Sequence, residues 1–179
     1  PGIVRAQVPK IFAKLLYGSK FHSMKQSRGQ QGIGISAAGM YGLLTTGKPL
    51  TVISRTGART KARRFLVAIN TKQNAPDIQL EEEIEWEPEH GTRVEITLQG
   101  TYKKGRHSID GYLLQVSVAN PHARITYIPP AQEDSEGRVV YERTSDDLPP
   151  EPREIRPHPH GVELGVFLKM LQGTAARNL

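Results

Sequence analysis

Residues 1–76 carry 13 Lys and Arg and not one Asp or Glu, whereas residues 77–179 hold all 18 acids against 11 bases. The first part therefore holds +13 and the rest −7, which sums to the net +6 of the chain. A segment without carboxylates has no carboxylate general base and no carboxylate metal ligand of its own. It is suited to holding a polyanion; a solvated basic face is the plainer alternative. At 179 residues the chain suits one domain, or one domain and the start of another. Its apolar content of 37%, with 17 Gly besides, is ordinary for a globular protein and excludes collagen, coiled coil and bulk disorder. No apolar run approaches the ~18 residues of a membrane span, and no basic-then-apolar leader opens the chain, so no membrane association is expected. The lack of Cys excludes disulfides and thiolate metal sites and fits a cytoplasmic location. A chain beginning at Pro1 without Met reads as a fragment.

Hydrophobic spacing divides the chain into elements. Val8, Ile11, Phe12, Leu15 and Leu16 predict a helix over 5–18 with Gly18 as its C-cap. A polar loop follows over 19–31, then a buried helix from Gly32 to Leu44. Leu50–Arg55 and Arg63–Asn70 read as a hairpin, and Ile78–Trp86 with Thr92–Gln99 as a second strand pair. A helix is predicted over 106–119 with Ile109, Leu113 and Val116 on one face. Two strands, Arg124–Ile128 and Arg138–Arg143, flank a polar loop. Residues 145–160 hold five of the 13 Pro and read as an extended linker. Beyond it, Gly161–Leu171 predicts an amphipathic helix with Val162, Val166, Leu171 and either Leu168 or Phe167 inward.

Two nucleotide motifs nearly match. Gly42–Pro49 reads as a phosphate loop up to Pro49, which replaces the magnesium-binding Ser or Thr and removes an amide. Gly32–Ala37 fits the dinucleotide fingerprint, but no strand precedes it and the first acid after it is Asp77. What both share survives. Gly29, Gly32 and Gly34 lie where a loop enters a helix, and glycine there lets a backbone approach a ligand. The first amides of a helix are unpaired and its dipole end is positive. Lys20, Lys25 and Arg28 stand nearby in sequence. This describes an anion site, most simply for a triphosphate; close helix packing through small residues is the alternative.

The string Gln26–Lys48, QSRGQQGIGISAAGMYGLLTTGK, resembles the B subunits of DNA topoisomerase VI, the archaeal type IIB enzymes. The similarity runs upstream through Tyr17–Phe21 and recurs at Ala119–Ala123 and Arg156–Leu164. That family shares its ATPase fold with gyrase, heat-shock chaperones, histidine kinases and mismatch-repair proteins. The resemblance implies an α+β chain holding part of a Bergerat-type ATPase α/β sandwich, a mixed sheet with helices on one face. It implies that residues 1–144 are the C-terminal part of that domain with its ATP lid, 145–160 a linker, and 161–179 the start of a helix-two-turns-helix domain. It implies that Gln30, Gln31, Gly32, Ile33, Gly34, Ile35, Ser36 and Ala37 wrap the β- and γ-phosphates of ATP, with Ser19 and Lys20 contacting nucleotide where the lid begins. Gly91-Thr92 resembles the pair lining the adenine pocket, so Thr92 joins the site.

The family's Glu and Asn box, with its water-activating Glu and its Mg2+-binding Asn, is absent, as is the adenine-reading Asp of an Asp-x-Gly-x-Gly motif. Pro1-Gly2 resembles the tail of that motif. No catalytic residue is therefore expected in this chain, and the chain alone is expected not to hydrolyse ATP. The resemblance further implies two A and two B subunits acting together on double-stranded DNA, with DNA cleavage belonging to the A subunit.

Other residues admit two readings. The hairpin-tip cations Arg55, Arg59, Lys61, Arg63 and Arg64 could contact duplex phosphate, although a solvated hairpin is the plainer reading. His158 and His160, flanking one Pro, read as linker rather than metal ligands. The run Glu81, Glu82, Glu83, Glu85, Glu87 and Glu89 alternates along a strand and reads as an outward face. Trp86 reads as core or strand-edge packing. The alternative function is a non-catalytic basic nucleic-acid-binding module, though 6% aromatic residues leave little for base stacking.

Overall fold

The structure, a computed structural model, describes residues 2–18, 20, 25, 27, 29–105, 107–130, 137–153 and 159–173. The chain forms two compact units, one of Pro1–Leu98 with Pro152–Leu179 and one of Gln99–Glu151.

The first unit is built on a hairpin whose two strands are rich in β-branched and apolar residues. Strand β1 (Leu50–Arg55) pairs antiparallel with β2 (Ala62–Asn70) in the register Val52 opposite Phe65. Because side chains alternate across a strand, Leu50 and Val52 share one face with Phe65, Val67 and Ile69. Onto this face pack Val8, Phe12 and Ala13 to form the core. Phe65 at 1% exposure and Val8 and Val52 at 0% are its centre. Each such side chain contributes about 1.5–3 kcal/mol on burial.

Two strands extend the hairpin into a sheet of order β3-β2-β1-β4. Strand β3 (Ala75–Ile84) pairs with β2 and carries a register shift opposite Leu66 and Val67. Strand β4 (Gly91–Glu95) pairs with β1, placing Thr92 opposite Ser54. The second strand pair expected from sequence is thus not a pair, since each of its strands takes a different edge of the hairpin. The class is α+β, with helices layered on one face of the sheet. Where a mixed sheet is expected, the described pairings are all antiparallel. The connections β1–β2 and β2–β3 are short turns, and parallel neighbours need a long crossover.

Helix α1 (Val8–Ala13) has Pro9 in its first turn, where a missing N–H costs nothing. It stops well before the expected Gly18, with Lys14 extended and Leu16 at φ +64°. The reason is tertiary. To continue, the Leu15 N–H would have to reach the Ile11 carbonyl. Instead it donates to Asn74 Oδ1 at 2.8 Å, and the Ile11 carbonyl accepts from Ser36 Oγ at 3.3 Å. Asn74 also donates to the Leu15 carbonyl at 3.2 Å.

Helix α2 (Gly34–Thr46) ends at Gly47, whose left-handed backbone returns its N–H to Leu43. It is less buried than its composition suggests: Ser36 and Gly42 are buried, while Tyr41 and Leu44 are exposed. The buried glycine marks a close approach, since a Cβ on Gly42 would stand 2.8 Å from the Thr97 carbonyl oxygen.

The second unit contains α3 (Ile109–Ala119), capped by Ser108, whose hydroxyl accepts from Gly111 N–H at 3.3 Å. Leu113 and Val116 are half-buried as expected, whereas Ile109 is exposed. Strands β5 (Ile125–Tyr127) and β6 (Val139–Tyr141) pair antiparallel, as the sequence leads one to expect. Most of the polar loop between them lies outside the described residues. In the first unit, α4 (Leu164–Gly173) begins later than expected. Val162, Phe167 and Leu171 are half-buried, but Val166 and Leu168 are exposed. No described helix is long and apolar enough to cross a membrane.

Candidate functional site

The Gly-rich segment enters α2 through two positive-φ glycines, Gly29 at +67° and Gly32 at +68°. A residue with a Cβ is strained in that region. Across the preceding loop the Lys20 N–H donates to the Gln30 carbonyl at 2.8 Å. At the helix start Ile33 supplies no side-chain cap, and the first turn has no acid. The first amide to find a partner within the helix is that of Ala37, bonded to Ile33 at 2.8 Å. The amides before it have no carbonyl of their own to meet. Gln30, Gln31, Ile33, Gly34 and Ile35 are exposed, Gly32 and Ala37 half-buried. This end of α2 therefore presents backbone donors and positive potential to solvent.

Ser36 stands apart from its neighbours. Its side chain is fully buried and donates towards the carbonyls of Ile11 and Lys14, both at 3.3 Å. The hydroxyl thus anchors the start of α2 to the end of α1 and is not presented to a ligand. Ser19, Gln26 and Arg28 lie outside the described residues, as do Pro1 and His158.

Thr92 lies elsewhere in the unit, at the other end of the sheet. It is exposed on β4, opposite Ser54 of β1. Ser54 is buried and grips Ile3 through both of its backbone groups. A Cβ on Gly2 would lie 1.9 Å from the Arg55 carbonyl oxygen, so only glycine fits there. Of the pair Pro1-Gly2 that resembles the tail of the motif sought in the sequence, Gly2 thus lies, with Ile3, against the strand that pairs with the strand of Thr92. The segment from Ile3 to Lys14 runs from this end of the sheet to the start of α2. Beside it a cavity of about 420 Å³ is lined by Ile3, Arg5, Ser54, Arg63 and Glu83, among others.

The hairpin cations are largely neutralised. Arg63 bridges Glu81 at 3.2 Å and Glu83 at 2.5 Å, Lys61 reaches Glu83 at 3.4 Å, and Arg64 pairs with Glu82. Arg5 also reaches Glu81, at 2.5 Å. The register explains this, because Arg63 faces Glu83 and Arg64 faces Glu82 across β2 and β3. Among the described residues no ion pair takes Arg59. Arg55 is occupied differently, donating to the carbonyls of Ala58, Thr60, Trp86 and Pro88. Sequence reading places Arg55 among the tip cations and passes over Ser54. The available signal was a lone hydroxyl on the core-facing side of an apolar strand. Trp86 lies over the backbone at Gly91, where a Cβ would stand 3.4 Å from the indole.

Among the described residues no group of three or more His, Asp or Glu is placed to hold a metal ion. No family model matches the chain. Three curated relatives, all B subunits of type 2 DNA topoisomerase 6, align over all of it. The protein of Methanococcoides burtonii is 52% identical, that of Archaeoglobus fulgidus 51%, and that of Halobacterium salinarum 45%. The chain spans 28%, 29% and 22% of their respective lengths. The alignments run from end to end, so they take in the Gly-rich segment, the hairpin and the Pro-rich stretch. The chain accordingly matches, over its whole length, a segment of little more than a quarter of the type 2 DNA topoisomerase 6 B subunits.

Proposed function

We propose that this chain is the ATP-lid portion of the ATPase domain in the B subunit of a type IIB topoisomerase. The observation that carries the reading is the start of α2. Positive-φ Gly32, a helix with no side-chain cap and no acid, and the backbone bond between Lys20 and Gln30 make a cradle for a triphosphate. The donor set supports phosphates rather than a metal, because residues 1–76 hold no carboxylate. Mg2+ would arrive with ATP and neutralise its phosphate charge. Its Asn ligand and the water-activating Glu belong, by resemblance, to sequence outside this chain, so residues 1–179 alone should not hydrolyse ATP.

In this reading Ser19, Lys20 and the backbone from Gln30 to Ala37 hold the phosphates, and Thr92 borders the base. ATP binds more tightly to a state in which two B subunits are joined, so binding shifts the population towards it. Two A subunits complete the assembly and cut one DNA duplex for another to pass. Residues 1–144 would belong to the ATPase domain, 145–160 to a linker, and 161–179 to the following helical domain. The competing reading, a basic nucleic-acid-binding module, is weakened by the glutamates that already pair with Lys61, Arg63 and Arg64.

The test is ATP affinity in the full-length protein. Gly32→Val should abolish binding, and Lys20→Ala should weaken it by about 1.5–3 kcal/mol, the scale of a charged hydrogen bond. Unchanged affinity in both variants would remove the reading.

A further inference from the structure

We infer that Arg55 is the positioning residue for the nucleotide base, a role that rests on the nucleotide-binding reading above. Its guanidinium donates to four carbonyls on two separate loops. Nε reaches Thr60 and Nη2 reaches Ala58, both at 2.8 Å, closing the hairpin tip. Nη1 reaches Trp86 and Pro88, both at 3.1 Å. These last two lie in the connection that delivers the chain to Gly91-Thr92 at the start of β4. The backbone of Arg55 meets the other wall: Gly2 passes so close that a Cβ would stand 1.9 Å from the Arg55 carbonyl oxygen. Adjacent Ser54 then holds Ile3.

Two adjacent residues therefore hold the backbone segments that would border the base: Ser54 holds Ile3, and the Arg55 guanidinium holds the connection leading to Gly91-Thr92. A planar guanidinium with five donors can hold four carbonyls at once; an ammonium with three donors cannot. The phosphate end is secured independently, by Ser36 against the end of α1. Loss of Arg55 should consequently loosen the base end and spare the phosphate end.

The experiment uses the full-length protein with Arg55→Lys and Arg55→Gln. Dissociation constants are measured for ATP, GTP and inorganic triphosphate. ATP should weaken by about tenfold or more, the scale of one well-placed polar contact. The preference for ATP over GTP should fall, and inorganic triphosphate should bind as in the wild type. Bound triphosphate also reports that the variant is folded. Arg55→Lys keeps the charge and serves where Arg55→Gln disturbs the fold. If ATP affinity is unchanged, or if ATP and triphosphate weaken together in both variants, the positioning role is overturned while nucleotide binding stands. Failure of the wild type to bind ATP or triphosphate would overturn both.

Discussion

The Ser54 hydroxyl satisfies both backbone groups of Ile3, accepting from its N–H at 2.7 Å and donating to its carbonyl at 2.9 Å. Ser54 is 5% exposed and shares the core face of β1 with Leu50 and Val52. A hydroxyl there is costly unless bonded, and one residue that can both donate and accept replaces a missing strand neighbour for Ile3. Ser54→Ala should destabilise the fold by about 1–3 kcal/mol, since it strands two backbone groups. Ser54→Thr keeps the hydroxyl and suits a strand, so it should recover most of the loss. Urea denaturation measures both; equal stability of all three would mean that Ile3 finds other partners.

Two glycines of α2 separate folding from ligand approach. A Cβ on Gly34 meets nothing within 4 Å, so Gly34→Ala should leave the melting temperature unchanged or raise it. The same methyl would stand at the first turn that phosphates approach, and ATP should bind more weakly. At Gly42 a Cβ would lie 2.7 Å from Ile96 Cγ2 and 2.8 Å from the Thr97 carbonyl oxygen. Gly42→Ala should cost about 1–3 kcal/mol by overpacking. Thermal denaturation beside an ATP titration distinguishes the two; loss of stability in Gly34→Ala would contradict the open site.

The hairpin cations should differ in their response to salt. Arg63, with its side chain 27% exposed, sits between Glu81 and Glu83, and Arg63→Ala should cost no more than about 1 kcal/mol. It should leave the salt dependence of DNA binding as it was, because that charge is already matched. Arg59→Ala should instead lower the slope of log affinity against log salt by about one unit, the value of one phosphate contact. The measurement is a salt titration of duplex binding by the full-length protein. Equal slopes in wild type and Arg59→Ala would take the hairpin tip off the DNA.

The second unit contains a titrating cluster. Tyr102 donates to both carboxylate oxygens of Asp110, at 2.9 and 2.7 Å, and accepts from Tyr127 at 3.2 Å. The Tyr102 hydrogen bond holds the Asp110 carboxyl below its usual range. Hydrogen bonding in this cluster, in which the Asp110 carboxylate holds the phenol proton, keeps Tyr102 well above its usual value. A lowered carboxyl stabilises the folded state above its unfolded value of about 4 and loses that contribution as pH falls through the folded value. A raised phenol contributes fully below about pH 10 and loses its contribution as pH rises beyond. Tyr102→Phe should return Asp110 towards the ordinary range and flatten the loss of stability below about pH 4. An NMR titration of Asp110 reads this directly, and an unshifted carboxyl in the variant would assign the effect elsewhere.

Much of the site was legible along the chain, because it depends on local chemistry. Glycines at Gly29 and Gly32 before an apolar helix announce an approachable backbone whatever surrounds them. Ser36 was not legible in the same way. Its neighbours Gly34 and Ile35 are exposed at the start of α2, and only the position of α1 turns its hydroxyl inward. Arg55 likewise reads as one more cation in a basic tip until two loops bring it four carbonyls.

By itself the sequence determined which stretches are strands and helices, where glycine must stand, and that one half of the chain is purely basic. Those properties follow from alternation, backbone sterics and charge, which act over a few residues. Tertiary structure decided the rest. Alternation says that Thr92–Gln99 is a strand but names no partner, and β4 pairs with β1 because both edges of the hairpin were open. Helix α1 ends at Ala13 because Asn74 and Ser36 take the backbone groups that another turn would use. Arg63 and Arg64 of β2 meet Glu83 and Glu82 because the strand register sets them opposite. Each of these outcomes depends on residues brought together from distant parts of the chain, and local propensity carries no record of them.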